Sequence, residues 1–283
     1  MKSIVRPSAV KHRFLQLLHE QTQSQYTLQE IWADWVRLAS NSFIAACSMG
    51  EAKAKAEANY LKIVKRYERS TVNAFCEMLA VLVRALELGG PQDFLGEVYM
   101  SLELGSKHHA QFFTPYSLCK LNAQMVLEGF DPTQDLIKAH EPACGSGGMI
   151  IALFDRLLEL GEDRPERNPQ TNLYVEAWDL NETTARMAYL QFSLLGIPAT
   201  VVCGNSLSLE VYATWHTIGY FRIYQKLVAD RRQSSSTLPL FPTPTQAAQL
   251  EPAPTPQPAA QPVAAPKQAG KAKVRSQQQL TLF

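Results

Sequence analysis

The chain has 283 residues, 46% of them apolar, with a formal charge of +1 and no stretch approaching the ~20 apolar residues that span a bilayer. That length holds one large or two small domains, and a membrane span is not expected. The charge is split: from Arg231 onward six basic residues (Arg231, Arg232, Lys267, Lys271, Lys273, Arg275) meet one acidic residue, Glu251, which leaves −4 for the rest. A mildly acidic body is no general nucleic-acid coat, and the tail's charges are too sparse for specific phosphate binding. Five scattered cysteines (Cys47, Cys76, Cys119, Cys144, Cys203) without a C-x-x-C pair argue against a disulfide framework or zinc site and fit a reducing cytosol. Met1 to His12 lacks the apolar run of a signal peptide.

Residues 1–104 read as a helical N-terminal domain. Thr27 and Glu30 form a T-x-x-E capping box, and Leu28, Ile31, Trp35 and Leu38 follow at helical spacing. The pattern predicts one long helix from about Glu51 to Leu88, with Leu61, Val64, Phe75, Met78, Leu79 and Leu82 as its apolar stripe and Gly89-Gly90 as its stop. These stripes suit core or partner packing.

Residues 105–232 alternate strand and helix. Leu136–His140 is a short strand running into Glu141; a Gly-rich turn leads to a helix, Met149–Leu160, closed by Gly161. Leu173–Trp178 is the next strand, ending at Asp179. A helix over Glu182–Leu195, closed by Gly196, and a strand over Ala199–Cys203 complete the run. This β-α-β-α-β order predicts an α/β fold with a parallel, three-layer sheet. Val211–Val228 suits a helix or one more strand. From Gln233 to Gln278, Pro, Ala, Gln, Ser and Thr dominate, a composition that predicts a disordered tail, partly polyproline II.

The turn Glu141-Pro142-Ala143-Cys144-Gly145-Ser146-Gly147-Gly148 lies between strand and helix, where glycines let backbone approach a ligand and the helix offers free N–H groups. It is not the G-x-G-x-x-G dinucleotide fingerprint, and alone it could be a tight β-α turn. Its flanks add specificity: Asp93-Phe94-Leu95-Gly96-Glu97-Val98-Tyr99, Ala110-Gln111-Phe112-Phe113-Thr114-Pro115, Ala177-Trp178-Asp179-Leu180-Asn181, Leu194-Leu195-Gly196-Ile197 and Gly204-Asn205-Ser206-Leu207. In this order they resemble the DNA adenine-N6 methyltransferases that serve as modification subunits of type I restriction systems, over about Pro91 to Leu209.

The resemblance implies a Rossmann-like, S-adenosylmethionine-dependent methyltransferase sheet. It implies cofactor-binding roles for Phe113, Thr114 and Pro115 at the methionine end, and for Glu141, Pro142, Gly145 and Gly147 in the cradling loop. Asp179 would accept from the ribose hydroxyls, as a carboxylate with two oxygens can; a helix N-cap is its other reading. Asn205 stands where an Asp usually meets the cofactor's adenine. Cys144 has no identifiable His partner and is not expected to be a nucleophile. His108 and His109 read as loop residues, and no metal is expected.

The chain departs from the family in two ways. The target base should be held by an Asn or Asp followed by Pro-Pro and an aromatic residue. Ser208 to Arg232 contains no Pro, and Asn168-Pro169 precedes the second strand and is followed by Gln170, so the catalytic residues are not identifiable. The implied sheet has seven strands; three are legible here, which makes it incomplete and leaves strand one near an edge open to pairing. The Tyr212–Tyr224 segment, the N-terminal helices or another chain is expected to cover that edge.

Gln279-Leu280-Thr281-Leu282-Phe283 resembles the Q-L-x-L-F peptide with which bacterial replication and repair proteins bind the DNA sliding clamp; Gln279, Leu280, Leu282 and Phe283 would carry it. Leu238-Pro239-Leu240-Phe241 is a weaker echo. The clamp-like peptide suggests a genuine terminus rather than a truncation. A flexible tether would reach ~40 Å and concentrate the body near clamp-loaded DNA. Three readings follow: a cofactor-binding, methyltransferase-like protein that lacks its own base motif and docks on the clamp; an active subunit completed by a partner chain or a second copy; and an interaction protein without cofactor. The setting implied is the bacterial cytoplasm, on a plasmid or mobile element, with DNA reached directly or through the clamp.

Overall fold

The computed structural model describes residues 7–22, 26–102, 113–128, 130, 135–161, 168–233 and 280–281. His108, His109, Gln111, Phe112, Leu238–Phe241 and the Pro-rich stretch fall outside them, as do Gln279, Leu282 and Phe283.

Five helices come first: α1 (Pro7–Gln21), α2 (Leu28–Cys47), α3 (Gly50–Val64), α4 (Arg69–Gly89) and α5 (Phe94–Ser101). The expected capping box opens α2: Glu30 N–H donates to Thr27 Oγ1 at 3.3 Å, and Thr27 N–H donates to Glu30 Oε2 at 2.9 Å. The single helix expected over 51–88 is two. The break between α3 and α4 turns Arg66 and Tyr67 inward, where Arg66 Nη1 and Tyr67 Oη lie 2.6 and 2.7 Å from the buried carboxylate of Asp34. A continuous helix would remove both of these donors and leave Asp34 only the looser pair with Arg37 Nη1 at 3.9 Å, which costs more than a few lost helical bonds. Leu61, expected in the stripe, is exposed, whereas Phe75, Met78 and Leu82 are buried.

Then follow α6 (Tyr116–Val126), β1 (Ile137–Glu141), α7 (Gly148–Leu160), α8 (Pro169–Asn172), β2 (Leu173–Asp179), α9 (Glu182–Leu195), β3 (Ala199–Asn205), β4 (Glu210–His216), α10 (Ile218–Gln233) and β5 (Leu280–Thr281). The sheet order is β4-β3-β2-β1-β5, with β1, β2 and β3 parallel. The α/β fold class and the helical N-terminal portion are as expected.

Alternation along the strands sorts the two faces. Ile137, Ala139, Leu173, Val175, Ala177, Ala199, Val201 and Cys203 join one apolar cluster with α7 and α9. On the other face α10 crosses the sheet: Tyr220 meets Tyr174 and stacks on His216, and Asp230 pairs with Lys138 on β1. Segment 211–228, expected as helix or strand, thus supplies both.

Of the three covers expected for the β1 edge, the Tyr212–Tyr224 segment is not the one found. Segment 212–224 goes to the opposite side, where β4 pairs antiparallel with β3. Such a pairing needs only the short hairpin turn after Asn205, whereas a parallel partner for β1 needs a crossover. The residues on the free side of β1 are Leu280 and Thr281, in parallel register with Ala139 and His140.

Helix α9 is shared. Ala185, Ala188, Tyr189 and Phe192 face the sheet, while Met187 and Leu190 belong to the cluster built by α1, α2, α4 and α5. Arg186 seals this seam: Nε lies 2.8 Å from Glu182 Oε1, Nη1 lies 2.9 Å from Ser40 Oγ and 3.1 Å from Asn41 Oδ1, and the guanidinium sits 4.5 Å over the Trp215 ring. Among the described residues no helix is long and apolar enough to cross a membrane. Arg186→Ala leaves Asn41 Oδ1 in the seam without its donor, while Ser40 keeps its bond to Arg37 O, so urea denaturation is expected to show a loss of about 2–3 kcal/mol.

Candidate functional site

The site forms where β1 stops. Apolar alternation carries β1 through the core to Glu141, and the chain then turns sharply into α7. Gly145 and Gly147 hold φ of 55° and 97°, the left-handed region that glycine enters without strain. Space demands glycine as well: a Cβ on Gly147 would stand 2.5 Å from Phe192 Cε1, and one on Gly145 would stand 3.0 Å from the Phe113 ring. Cys144 N–H donates to Trp178 O at 2.7 Å, which fastens the loop to the end of β2.

Two carboxylates flank the loop. Asp179, at the end of β2, accepts from Gly145 N–H at 2.9 Å through Oδ2, and from Asn181 N–H at 2.8 Å and Thr184 Oγ1 at 2.7 Å through Oδ1. It therefore does structural work at the start of α9, where Asn181 is the N-cap, and still keeps a lone pair on Oδ2 for a further donor. Glu141 is buried; its Oε1 accepts from Ala143 N–H at 3.1 Å, and its Oε2 has no hydrogen-bond partner among the described residues. Burial pushes its carboxyl up to about 7, against the Ala143 bond and with help from the Asp179 charge.

A third carboxylate, Asp93, anchors the loop from behind. It caps α5 and is buried, with Oδ1 accepting from Gly96 N–H and Gln191 Nε2, both at 2.9 Å, and Oδ2 accepting from Ser146 Oγ at 2.6 Å. Gln191 also donates to Ser146 O at 2.9 Å and accepts from Leu95 N–H at 3.0 Å. Burial raises the Asp93 carboxyl above its ordinary range despite these donors. Sequence reading assigned no role to Ser146 or Gln191; the available signal was a lone Gln in the apolar run Tyr189-Leu190-Gln191-Phe192.

Of the residues expected to bind cofactor, the structure brings together Phe113, Glu141, Pro142, Gly145, Gly147 and Asp179. Thr114 and Pro115 follow at the exposed start of α6, with Cys119 Sγ against Thr114 O. Asn205 lies two residues past Cys203, the β3 partner of Asp179, and its Oδ1 already accepts from Leu207 N–H and Ser208 N–H at 3.0 and 3.2 Å. Cys144 is buried and its thiol is raised well above its ordinary range by that burial, which disfavours the thiolate. Asn168-Pro169 is a helix start: Asn168 Oδ1 accepts from Gln170 N–H at 2.9 Å. Among the described residues no cluster of His, Cys, Asp and Glu suits a metal ion.

The geometry is that of an α/β sheet with a Gly-rich turn after β1 and an acid at the end of β2. Residues 91–218 match the family model described as N-6 DNA Methylase. No curated protein matches the chain. Among solved structures it is similar to a class I S-adenosylmethionine-dependent methyltransferase from Listeria monocytogenes, at 15% identity and a TM-score of 0.38, over 70% of this chain and 54% of that one. It is also similar to a type I restriction-modification system methyltransferase subunit from Streptococcus thermophilus, at 15% identity and a TM-score of 0.34, over 69% of this chain and 57% of that one. The chain thus covers little more than half the length of these proteins.

Glu141→Gln removes a carboxyl whose folded pKa lies above its unfolded value. Wild-type stability from that group is present at low pH and lost as pH rises through about 7. The variant is therefore expected to match wild type near pH 4 and to exceed it at pH 8, on the order of 2–3 kcal/mol by urea denaturation. Asp93→Ala leaves Ser146, Gln191 and Gly96 N–H without their acceptor, and the same measurement is expected to show a loss of about 2–4 kcal/mol.

Proposed function

We propose that the chain binds S-adenosylmethionine across the Glu141–Gly147 loop and Asp179, as a DNA adenine-N6 methyltransferase-like protein without its own target-base motif. The observation that carries this reading is Glu141 Oε2, a buried acceptor with no partner beside a glycine-lined turn. A carboxylate left unpaired at such a point is costly unless a donor or cation completes it. The cofactor's ammonium and sulfonium are such groups, and they would draw the Glu141 carboxyl down from about 7 into its charged form. Asp179 offers its remaining lone pair to a ribose hydroxyl while holding Gly145 in place. Phe113 closes the loop with an apolar face. Bound there, S-adenosylmethionine would supply an activated methyl group.

Holding a flipped adenine needs residues that the segment 208–232 lacks, since that segment forms β4 and α10. On this reading the chain alone does not transfer a methyl group. It reaches DNA through the sliding clamp, by the peptide Gln279 to Phe283, which suits a body carrying −4 outside its basic tail. A second reading, an active adenine-specific subunit completed by a partner chain, draws on α6: Leu118, Leu121 and Met125 recur along it at helical spacing and are all exposed. The helical N-terminal portion (1–104), the methyltransferase-like portion (105–232) and the tail (233–283) are proposed as its divisions.

The test is calorimetric titration with S-adenosylmethionine. Micromolar binding at pH 8 is expected, at least tenfold weaker at pH 6 where Glu141 is protonated, and abolished in Asp179→Ala. No binding at millimolar cofactor would discard both cofactor-dependent readings and leave an interaction protein.

A further inference from the structure

The two sides of β1 are paired unequally. β2 takes all five of its residues, from Ile137 to Glu141, whereas the other side meets Leu280 and Thr281 at Ala139 and His140. We propose that this edge is a strand-acceptor site whose occupant is the chain's own C-terminal peptide, docked in parallel register and exchangeable. The peptide then serves either the sheet edge or an external receptor, but not both at once.

The geometry favours a partner in cis. The exit point is close to the docking point: the last helical residue, Gln233, lies three residues past Asp230, and the Asp230 carboxylate takes the Lys138 ammonium beside Ala139. The 46 residues between Gln233 and Leu280 thus connect two points beside β1. A loop of that length costs little more to close than a shorter one, and it keeps the peptide at a local concentration on the order of millimolar.

Among the described residues the peptide pairs with β1 at two positions, against five on the β2 side, so its backbone hold is the weaker of the two and the more readily exchanged. Exclusivity follows from chemistry: a receptor that binds the peptide as an added strand uses the same backbone N–H and C=O groups that face β1. Finally, the docked residues lie next to Glu141, so occupancy of the edge bears on the strand that delivers the cofactor loop. The competing receptor of the proposed function is the clamp, but the cis pairing does not depend on it.

Hydrogen exchange on the full chain tests this without clamp or cofactor. In wild type the amides of residues 137–141 are expected to exchange about tenfold more slowly than in Thr281→Pro, which removes a backbone donor from the docked strand. Residues 173–179 should exchange alike in both, showing that the rest of the sheet is intact. Free peptide with the sequence of residues 278–283, at millimolar concentration, should restore protection in the variant. Equal exchange at 137–141 in both proteins, or no restoration by the peptide, overturns the proposal. Protection that grows with protein concentration also overturns it, because the occupant is then the tail of a second copy. Failure of the chain to bind a clamp would sink the tether reading and leave this result untouched.

Discussion

The buried carboxylate of Asp93 is the constraint around which the site is arranged. It accepts from Gly96, Gln191 and Ser146, and so joins α5, α9 and the Gly-rich loop at one point. A charge placed there is tolerated only while all three donors are present, so the three elements are held to a single relative placement. Gly148 makes room for it, since a Cβ there would come within 3.0 Å of Asp93 Oδ2. The family match begins at Pro91, just before this residue, and so includes the anchor as well as the loop.

From that anchor the character of the front of the loop follows. Ser146 is fixed from behind, Gly145 is fixed from the side by Asp179, and the turn between them has no freedom to fold onto Glu141. One oxygen of Glu141 thus stays buried and unpaired, in the field of a second carboxylate. Two carboxylates therefore stand at the front of the loop, Glu141 at the end of β1 and Asp179 at the end of β2. A site already shaped for its ligand loses little entropy when it is filled.

The sheet is unfinished in a way that has physical consequences. On one side β4 closes it with an antiparallel hairpin, the least demanding connection available. On the other, β1 is an interior-type strand, apolar on the face that meets α7, yet among the described residues its outer neighbour is Leu280–Thr281 alone. Helix α6, packed on α7, carries an exposed apolar stripe. Backbone groups and apolar surface left at one side of a fold invite a partner strand or chain.

Much of this was legible in the chain's own pattern. Period-two and helical spacing, the glycines after α7 and α9 and the capping box at Thr27 located elements to within a few residues, because each depends on neighbours in sequence. The loop glycines and Asp179 were legible for the same reason. What the sequence left open depended on distant partners. The break between α3 and α4 exists because Asp34 needs Arg66 and Tyr67. The double duty of Asp179 and the meeting of Asp93 with Gln191 across 98 positions are likewise decided by packing. So is the pairing of Leu280 and Thr281 with β1, since a sheet edge is satisfied by whichever strand the closed fold brings near. Local propensity determined which elements form; burial of charge and of backbone decided which of them meet.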